Sequence, residues 1–381
     1  MAKNQVDNRK LTSKDIVNGL ARRDIYDGKG LLLVKKGNRI SQAHYDRMRE
    51  EGLIHEEKSN SPSRAVHDIN YVNDNSVHAR LLKIVMRYKN LQKSILEQSD
   101  DSSGSDLSEL AERLIELCEE DVNQILGELF LIGHSHYNVT KPVYIASSLV
   151  ELVKRFNHYN PSETIDSSKR LALVLAALGF NLGLLQFEKQ VLDNQNQFSS
   201  DEKRGLEEHY SKESISLLEK AGLNDPTMAD AIQHHNIASD NPSRNGLLLR
   251  TPFVFADIAM AQASGIGGDS MLNPTREFAR MFASKQLDPI FAGLFLKING
   301  IAPIGSILQF ESREKAVVIK GPIDKDISSS TIRMLTDRSG IQLRRPGEKS
   351  QLNKLPIKHL GLADHHQFSW INFDPHVMWQ K

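Results

Sequence analysis

The chain reads as a mostly α protein, a helical bundle preceded by a small α+β unit and followed by a short β extension. Three observations predict this. From residue 77 to about 299, apolar residues recur at i, i+3, i+4 and i+7, the period of helices with one buried face. From residue 305 the period drops to two and β-branched residues accumulate. Near the N-terminus, two apolar runs flank a turn built on glycines. The spans divide as an α+β unit at 1–56, a linker at 57–76, helices at 77–304, a β extension at 305–345 and a tail at 346–381.

In the first unit, "RDIYDGKGLLLVKKGNRI" places strands on either side of Asp27-Gly28-Lys29-Gly30, whose glycines supply the positive φ a hairpin needs. Ser41 then caps a short helix, "QAHYDRMREEG", ended by Gly52. The Ser- and Asn-rich stretch that follows has no period and reads as a linker. "VHARLLKIVMRYKNLQKSIL" and "LSELAERLIELCEEDVNQILGELFLI" are amphipathic helices, separated by the polar break "QSDDSSGSD" at 98–106. Further helices are expected at 140–156, 168–186 and 201–221, then in "TPFVFADIAMAQAS" and "PTREFARMFAS". "GSILQF", "KAVVIK" and "TIRMLTDRSGIQL" read as strands. The tail has little pattern, and there is no internal repeat.

Composition narrows the function classes. Lys plus Arg and Asp plus Glu are both 48 in 381 residues, so there is no electrostatic footprint for nucleic acid. Charged residues at 25% and apolar ones at 39% fit an ordinary soluble protein. The single cysteine, Cys118, has no internal disulfide partner and fits a reducing compartment. The polar start "MAKNQVDNRKLTSKD" lacks the apolar core of a signal peptide. The longest apolar run, "LALVLAALGFNLGLL", is shorter than the ~20 residues that cross a bilayer and is interrupted by Asn181. A buried helix, no membrane partner and a cytoplasmic location are therefore expected.

Chemistry concentrates in "AIQHHN" at 231–236, where His234 and His235 follow an apolar stretch. The "HSH" at 134–136 and the "DHH" at 364–366 match no metal-ligand spacing and read as loop or surface histidines. "GIGG" at 265–268 has no preceding strand and no Lys-Ser/Thr, so it is not a phosphate loop. In the tail, Phe368, Trp370, Phe373 and Trp379 gather in a chain with only two tryptophans, and docking onto the chain's own domain is the favoured reading.

Several segments together resemble the HD-GYP family, metal-dependent phosphodiesterases of bacterial cyclic di-GMP signalling. They are "GLARRDIYDGKGLLLVKKGNRIS", "LALVLAALGFNLGLL", "FSSDEKRGLEEH", "AIQHHN", "FVFADIAMA" and "LDPIFAGLFLKINGIAPIGS". The last is the most specific, joining an apolar helix to a Pro-x-Gly-Ser turn. The resemblance implies an HD-domain-like helical bundle. It also implies a degenerate member, because the name-giving His-Asp pair becomes Phe180-Asn181 and a ligand histidine becomes Lys141. An asparagine amide cannot bridge two cations as a carboxylate does, and an ammonium repels metal. Leu184 stands where the family has a lysine, "NIASDNPSRNG" replaces the Gly-Tyr-Pro loop, and "GIGGDSMLNP" replaces an Arg-Pro-Tyr segment. Arg250 lies one residue from the family's arginine and is the candidate ligand-binding cation.

The positions that keep a ligand type are His209, His234, His235 and Asp257, a set suited to one ion at most, zinc, iron or manganese, if any is bound. A two-metal hydrolysis needs a bridged pair, which this set lacks. The expected function is a catalytically impaired regulatory or protein-interaction module of cyclic di-GMP signalling, with a protein partner whose identity is open. Two alternatives stand beside it. One is an active metal-dependent cyclic di-GMP phosphodiesterase recruiting Asp193, Glu207 or Glu208. The other is a non-catalytic receptor for a nucleotide such as cyclic di-GMP.

Overall fold

The computed structural model describes residues 16–17, 20–21, 25–26, 32–35, 75–98, 102–132, 137–186, 200–236, 242–263, 274–284, 286–322, 326–343, 345–355, 359–362 and 378–379. The chain forms two compact units, Met1–Ile69 and Asn70–Lys381. In the first unit, β1 (Ile16–Val17) pairs antiparallel with β2 (Leu20–Ala21), and β3 (Ile25–Tyr26) with β4 (Leu32–Val34). The second pair is the hairpin expected around Asp27–Gly30; the first was not read from the sequence. The expected helix at "QAHYDRMREEG", most of the linker, "HSH", "GIGG", "DHH" and Asp193 lie outside the described residues.

The second unit is mostly α, as the periodicity predicts. Its helices are α1 (Val77–Glu97), α2 (Ser103–Ile132), α3 (Tyr137–Tyr159), α4 (Ser167–Gly179) and α5 (Ser200–Lys220). They continue with α6 (Pro226–His234), α7 (Arg244–Ala263), α8 (Pro274–Ala283) and α9 (Pro289–Asn299). Side-chain caps set several of the starts. Asp166 accepts from Lys169 N at 2.8 Å, Asp225 from Thr227 N at 2.7 Å, and Asp288 from Ile290 N at 2.9 Å. Pro226 and Pro289 then occupy the first helical turn, where a missing N–H costs nothing. The long α2 is kinked at Asp121 (φ −154°, ψ 82°), whose carboxylate caps the second half through Gln124 N at 3.1 Å.

Each helix packs on its sequence neighbours from α1 through α4, α4 then meets α6, and α7 lies against α3, α6 and α9. One apolar core results, including Leu110, Leu114, Tyr144, Leu149, Leu173, Leu178, Phe255 and Phe295. By length and composition the stretch 167–186 is apolar enough to cross a membrane, yet most of its apolar part is buried inside the bundle. It serves as the bundle's central helix.

That helix is shorter than the sequence suggests. The apolar run continues to 185, but α4 ends at Gly179 and the chain turns through 180–183 before a 3₁₀ turn at Leu184–Gln186. The reason lies on α5. Ser214 Oγ donates to Phe180 O and accepts from Gly183 N, both at 2.8 Å, satisfying the backbone groups that the break exposes. Gly183 must be glycine for this, since a Cβ there would overlap the backbone of Tyr210 and the Cβ of Glu213.

The C-terminal strands form an antiparallel sheet in the order β8-β7-β6-β5-β9, made of β5 (Ile307–Phe310), β6 (Lys315–Lys320), β7 (Thr331–Met334), β8 (Lys349–Gln351) and β9 (His359–Leu362). β8 and β9 come from the region read as a patternless tail. Both are short edge strands that borrow their pairing from β7 and β5. Further on, Met378 is buried among Ile307, Val317, Ile319 and Leu335. Trp379 donates Nε1–H to Ile319 O at 2.8 Å and lays its ring on the Cα of Gly127, and Arg333 donates to Met378 O at 3.1 Å. This part of the tail docks on its own unit; Phe368, Trp370 and Phe373 lie outside the described residues.

The docking makes a prediction. Trp379→Ala should lower stability by about 3 kcal/mol through lost burial. Gly127→Ala should lower it by roughly 1–3 kcal/mol, because the new methyl displaces the ring. Urea denaturation of each variant checks this, and the double variant should lose less than the sum.

Candidate functional site

Four helices contribute to one cluster. Lys141 comes from the second turn of α3, Phe180 from the residue after α4, His235 from the residue after α6, and Phe253 and Asp257 from α7. Arg250, Phe253 and Asp257 are spaced i, i+3 and i+7, so α7 presents all three on one side.

The centre is aromatic. The Phe180 ring meets His235 at 5.5 Å and Phe253 at 5.3 Å between centroids, and His235 meets Phe253 at 4.7 Å. All three contacts are edge-to-face, with interplanar angles of 60–86°. Phe180 thus fills with hydrocarbon the space between α4, α6 and α7. His235 is fully buried there. Its Nδ1–H donates to Ile232 O at 2.7 Å, which leaves Nε2 as the lone-pair nitrogen, and Nε2 has no hydrogen-bond partner. Burial is the main reason its pKa falls from 6.5 to about 4, with the charges of Lys141 and Arg250 adding to the effect and Asp257 opposing it. His235 is a neutral core imidazole.

Lys141 ion-pairs with Asp257, its Nζ on Oδ1. The same ammonium sits 4.8 Å from the Phe253 ring centroid and 5.8 Å from that of Phe180, a cation over two π faces. Its side chain is 12% exposed against 41% for Asp257, so the pair runs from the cluster's interior toward its mouth. Asn181 is buried beside Phe180. It donates to Asn138 O at 3.3 Å, and its Oδ1 has no partner.

The remaining expected residues go elsewhere. His234 turns back along α6 to Asp230, with Nδ1 3.0 Å from both the backbone oxygen and Oδ1. Asp230 in turn accepts from Asn245 at 2.8 Å. His209 is exposed on α5, Glu208 is exposed, and Leu184 is half-buried in the 3₁₀ turn. Glu207 accepts from the Asn236 amide. Arg250, the expected ligand-binding cation, is buried with its guanidinium on the carbonyls of His234, His235 and Asn236. Those are carbonyls the end of α6 leaves without helical partners, so Arg250 works as a helix C-cap.

Three participants were not read from the sequence. Phe253 was legible as the residue four before Asp257 on the same helical face. Tyr210 is buried, and burial together with the charges of Glu207 and Asp257 raises the pKa of its hydroxyl; Asn236 bonds to it. Neither Tyr210 nor Asn236 carries a spacing signal.

These side chains do not fit a divalent ion. Among the described residues no three His, Cys, Asp or Glu side chains converge. Asp257 is engaged by an ammonium, His234 faces Asp230, and the one lone pair of His235 is walled by two phenyl rings.

No protein-family model matches the chain, and no curated protein matches it. Among solved structures, an HDG"Y"P protein from Bdellovibrio bacteriovorus is similar over 71% of this chain and 92% of its own, at 12% identity and a TM-score of 0.46.

The buried imidazole predicts a pH dependence. His235 has a folded-state pKa below its unfolded value of 6.5, so the unfolded chain binds the proton more readily. Its contribution is present above pH 6.5 and is lost as pH falls toward about 4. The full loss is about 3 kcal/mol for a shift of this size. Stability measured by denaturant between those limits should fall in the wild type and fall less steeply in His235→Leu.

Proposed function

We propose that this chain is a catalytically silent, HD-GYP-like regulatory module that acts through protein contacts in bacterial cyclic di-GMP signalling. The family side of the reading rests on "AIQHHN", "FVFADIAMA" and the Pro-x-Gly-Ser turn after α9. The silent side is carried by a single observation, the packing of Phe180 on His235 and Phe253. A phosphodiesterase of the two-metal type needs an open, bridged pair of cations to activate water and steady the leaving oxygen. Here the corresponding space is hydrocarbon.

Loss of the ligands removes several kcal/mol of transition-state stabilisation, at about 1.36 kcal/mol for each tenfold in rate. A purified sample should therefore hydrolyse cyclic di-GMP no faster than background with Mn²⁺ or Fe²⁺ present, and should hold at most one ion per chain by elemental analysis. Turnover that disappears in His234→Ala, or two or more ions per chain, would refute the reading. The contact surface is assigned to the N-terminal unit at 1–56, which precedes a polar stretch of linker composition. Deleting residues 1–56 should leave the melting curve of the helical unit in place and abolish pull-down of the native partner. Undiminished capture by the truncated protein would move the contact elsewhere.

A further inference from the structure

The cluster around Asp257 has the makings of a cation site. A carboxylate stands at its mouth, two ring faces form its wall, and a neutral imidazole with an unpartnered Nε2 lies behind them. A carboxylate and aromatic faces are the groups that hold a quaternary or primary ammonium, because both present negative potential that offsets the hydration the cation loses. The chain supplies such a group itself. We infer that Lys141 is the resident cation of this site, an ammonium tethered to α3 that takes the place of any external ion and joins α3 to α7 through Asp257.

The geometry bears this out on three counts. First, Lys141 Nζ reaches Asp257 across 116 residues of sequence, so the pair is a tertiary link and not a local helix pair. Second, the ammonium is nearly all buried while its carboxylate is partly solvated, which places the positive charge inside and the negative charge at the rim. A buried ammonium without its partner is costly, so the aromatic faces and Asp257 are both needed. Third, the other buried cation of the neighbourhood, Arg250, is spent on the carbonyls at the end of α6.

The consequence is a helix junction that is closed in the absence of metal and indifferent to it. Emptying the tether should convert the same groups into a receptor for a small ammonium ion. The inference rests on the proposed silent reading of this site, and the experiment separates the two.

Full-length wild type, Lys141→Ala, Asp257→Asn and the double variant would be melted under circular dichroism. Each would be run with EDTA, with ZnCl₂, and with ethylammonium chloride against NaCl at equal ionic strength. The wild-type melting temperature should not move with EDTA or ZnCl₂. Lys141→Ala should melt lower, and adding Asp257→Asn to it should cost clearly less than Asp257→Asn costs in the wild type. Ethylammonium should raise the melting temperature of Lys141→Ala alone. Lys141→Met, which keeps most of the stem, reads the same cycle if Lys141→Ala does not fold. Additive losses without ammonium rescue would overturn the resident-cation inference while leaving a metal-free wild type, and with it the silent reading, intact. A wild type that EDTA destabilises would overturn the resident-cation inference, whereas hydrolysis of cyclic di-GMP by the same sample would overturn the silent reading itself.

Discussion

The break after Gly179 is the constraint on which the site depends. Phe180 keeps helical φ and ψ and its N–H still reaches Ala176 O, and the chain turns out of the helix only beyond it. The Ser214 hydroxyl holds the turn by serving both exposed backbone groups at once, donating to Phe180 O and accepting from Gly183 N. Without it, a buried carbonyl and a buried N–H would each go unpaired, at roughly 1–3 kcal/mol apiece. With it, the chain turns away directly after Phe180, whose ring packs on His235 and Phe253. The glycines at 179 and 183 belong to the same device, since a methyl at either would meet α5.

Charge is accounted for around that ring with the same economy. Three potentially cationic side chains, Lys141, His235 and Arg250, lie within one buried neighbourhood, and their mutual repulsion must be relieved. Arg250 is absorbed by three carbonyls, Lys141 by Asp257 and two π faces, and His235 by staying neutral. The lowered pKa of His235 is thus a result of the same packing that buries Lys141. The cations sort themselves by what each can find: planar donors on carbonyls, a point charge on a carboxylate, and a proton left off altogether.

Much of this was legible in the sequence where the signal is local. The helical spans and the strands at 307–320 follow from period, and the structure has them there, while the Asp-Pro starts at 225–226 and 288–289 carry a cap signal that was not read. The end of α4 was not legible, because the group that stops it sits 34 residues away on α5. β8 and β9 were not legible either, since short edge strands take their order from the strands they pair with rather than from their own residues. In the site, residue type was legible and direction was not. Arg250 lies close to where a ligand-binding arginine was expected, yet its guanidinium turns inward because the carbonyls ending α6 are nearer and need donors. His234 and His235 are adjacent in sequence, but one is held by Asp230 and the other by Ile232 O, so they do not act as a pair.

Two acceptors remain unmet in an otherwise satisfied cluster, His235 Nε2 and Asn181 Oδ1. Each costs on the order of 1–3 kcal/mol, which the three ring contacts, at about 0.5–1.5 kcal/mol each beyond their burial, roughly offset. The balance explains how polar side chains are held at these positions in an apolar core. Phe180 lines the lone pair of His235 with hydrocarbon and also supplies the edge-to-face contacts that make the unpaired nitrogen tolerable. A single aromatic residue therefore both walls the imidazole and stabilises it, so the junction between α4, α6 and α7 holds as a packed part of the bundle.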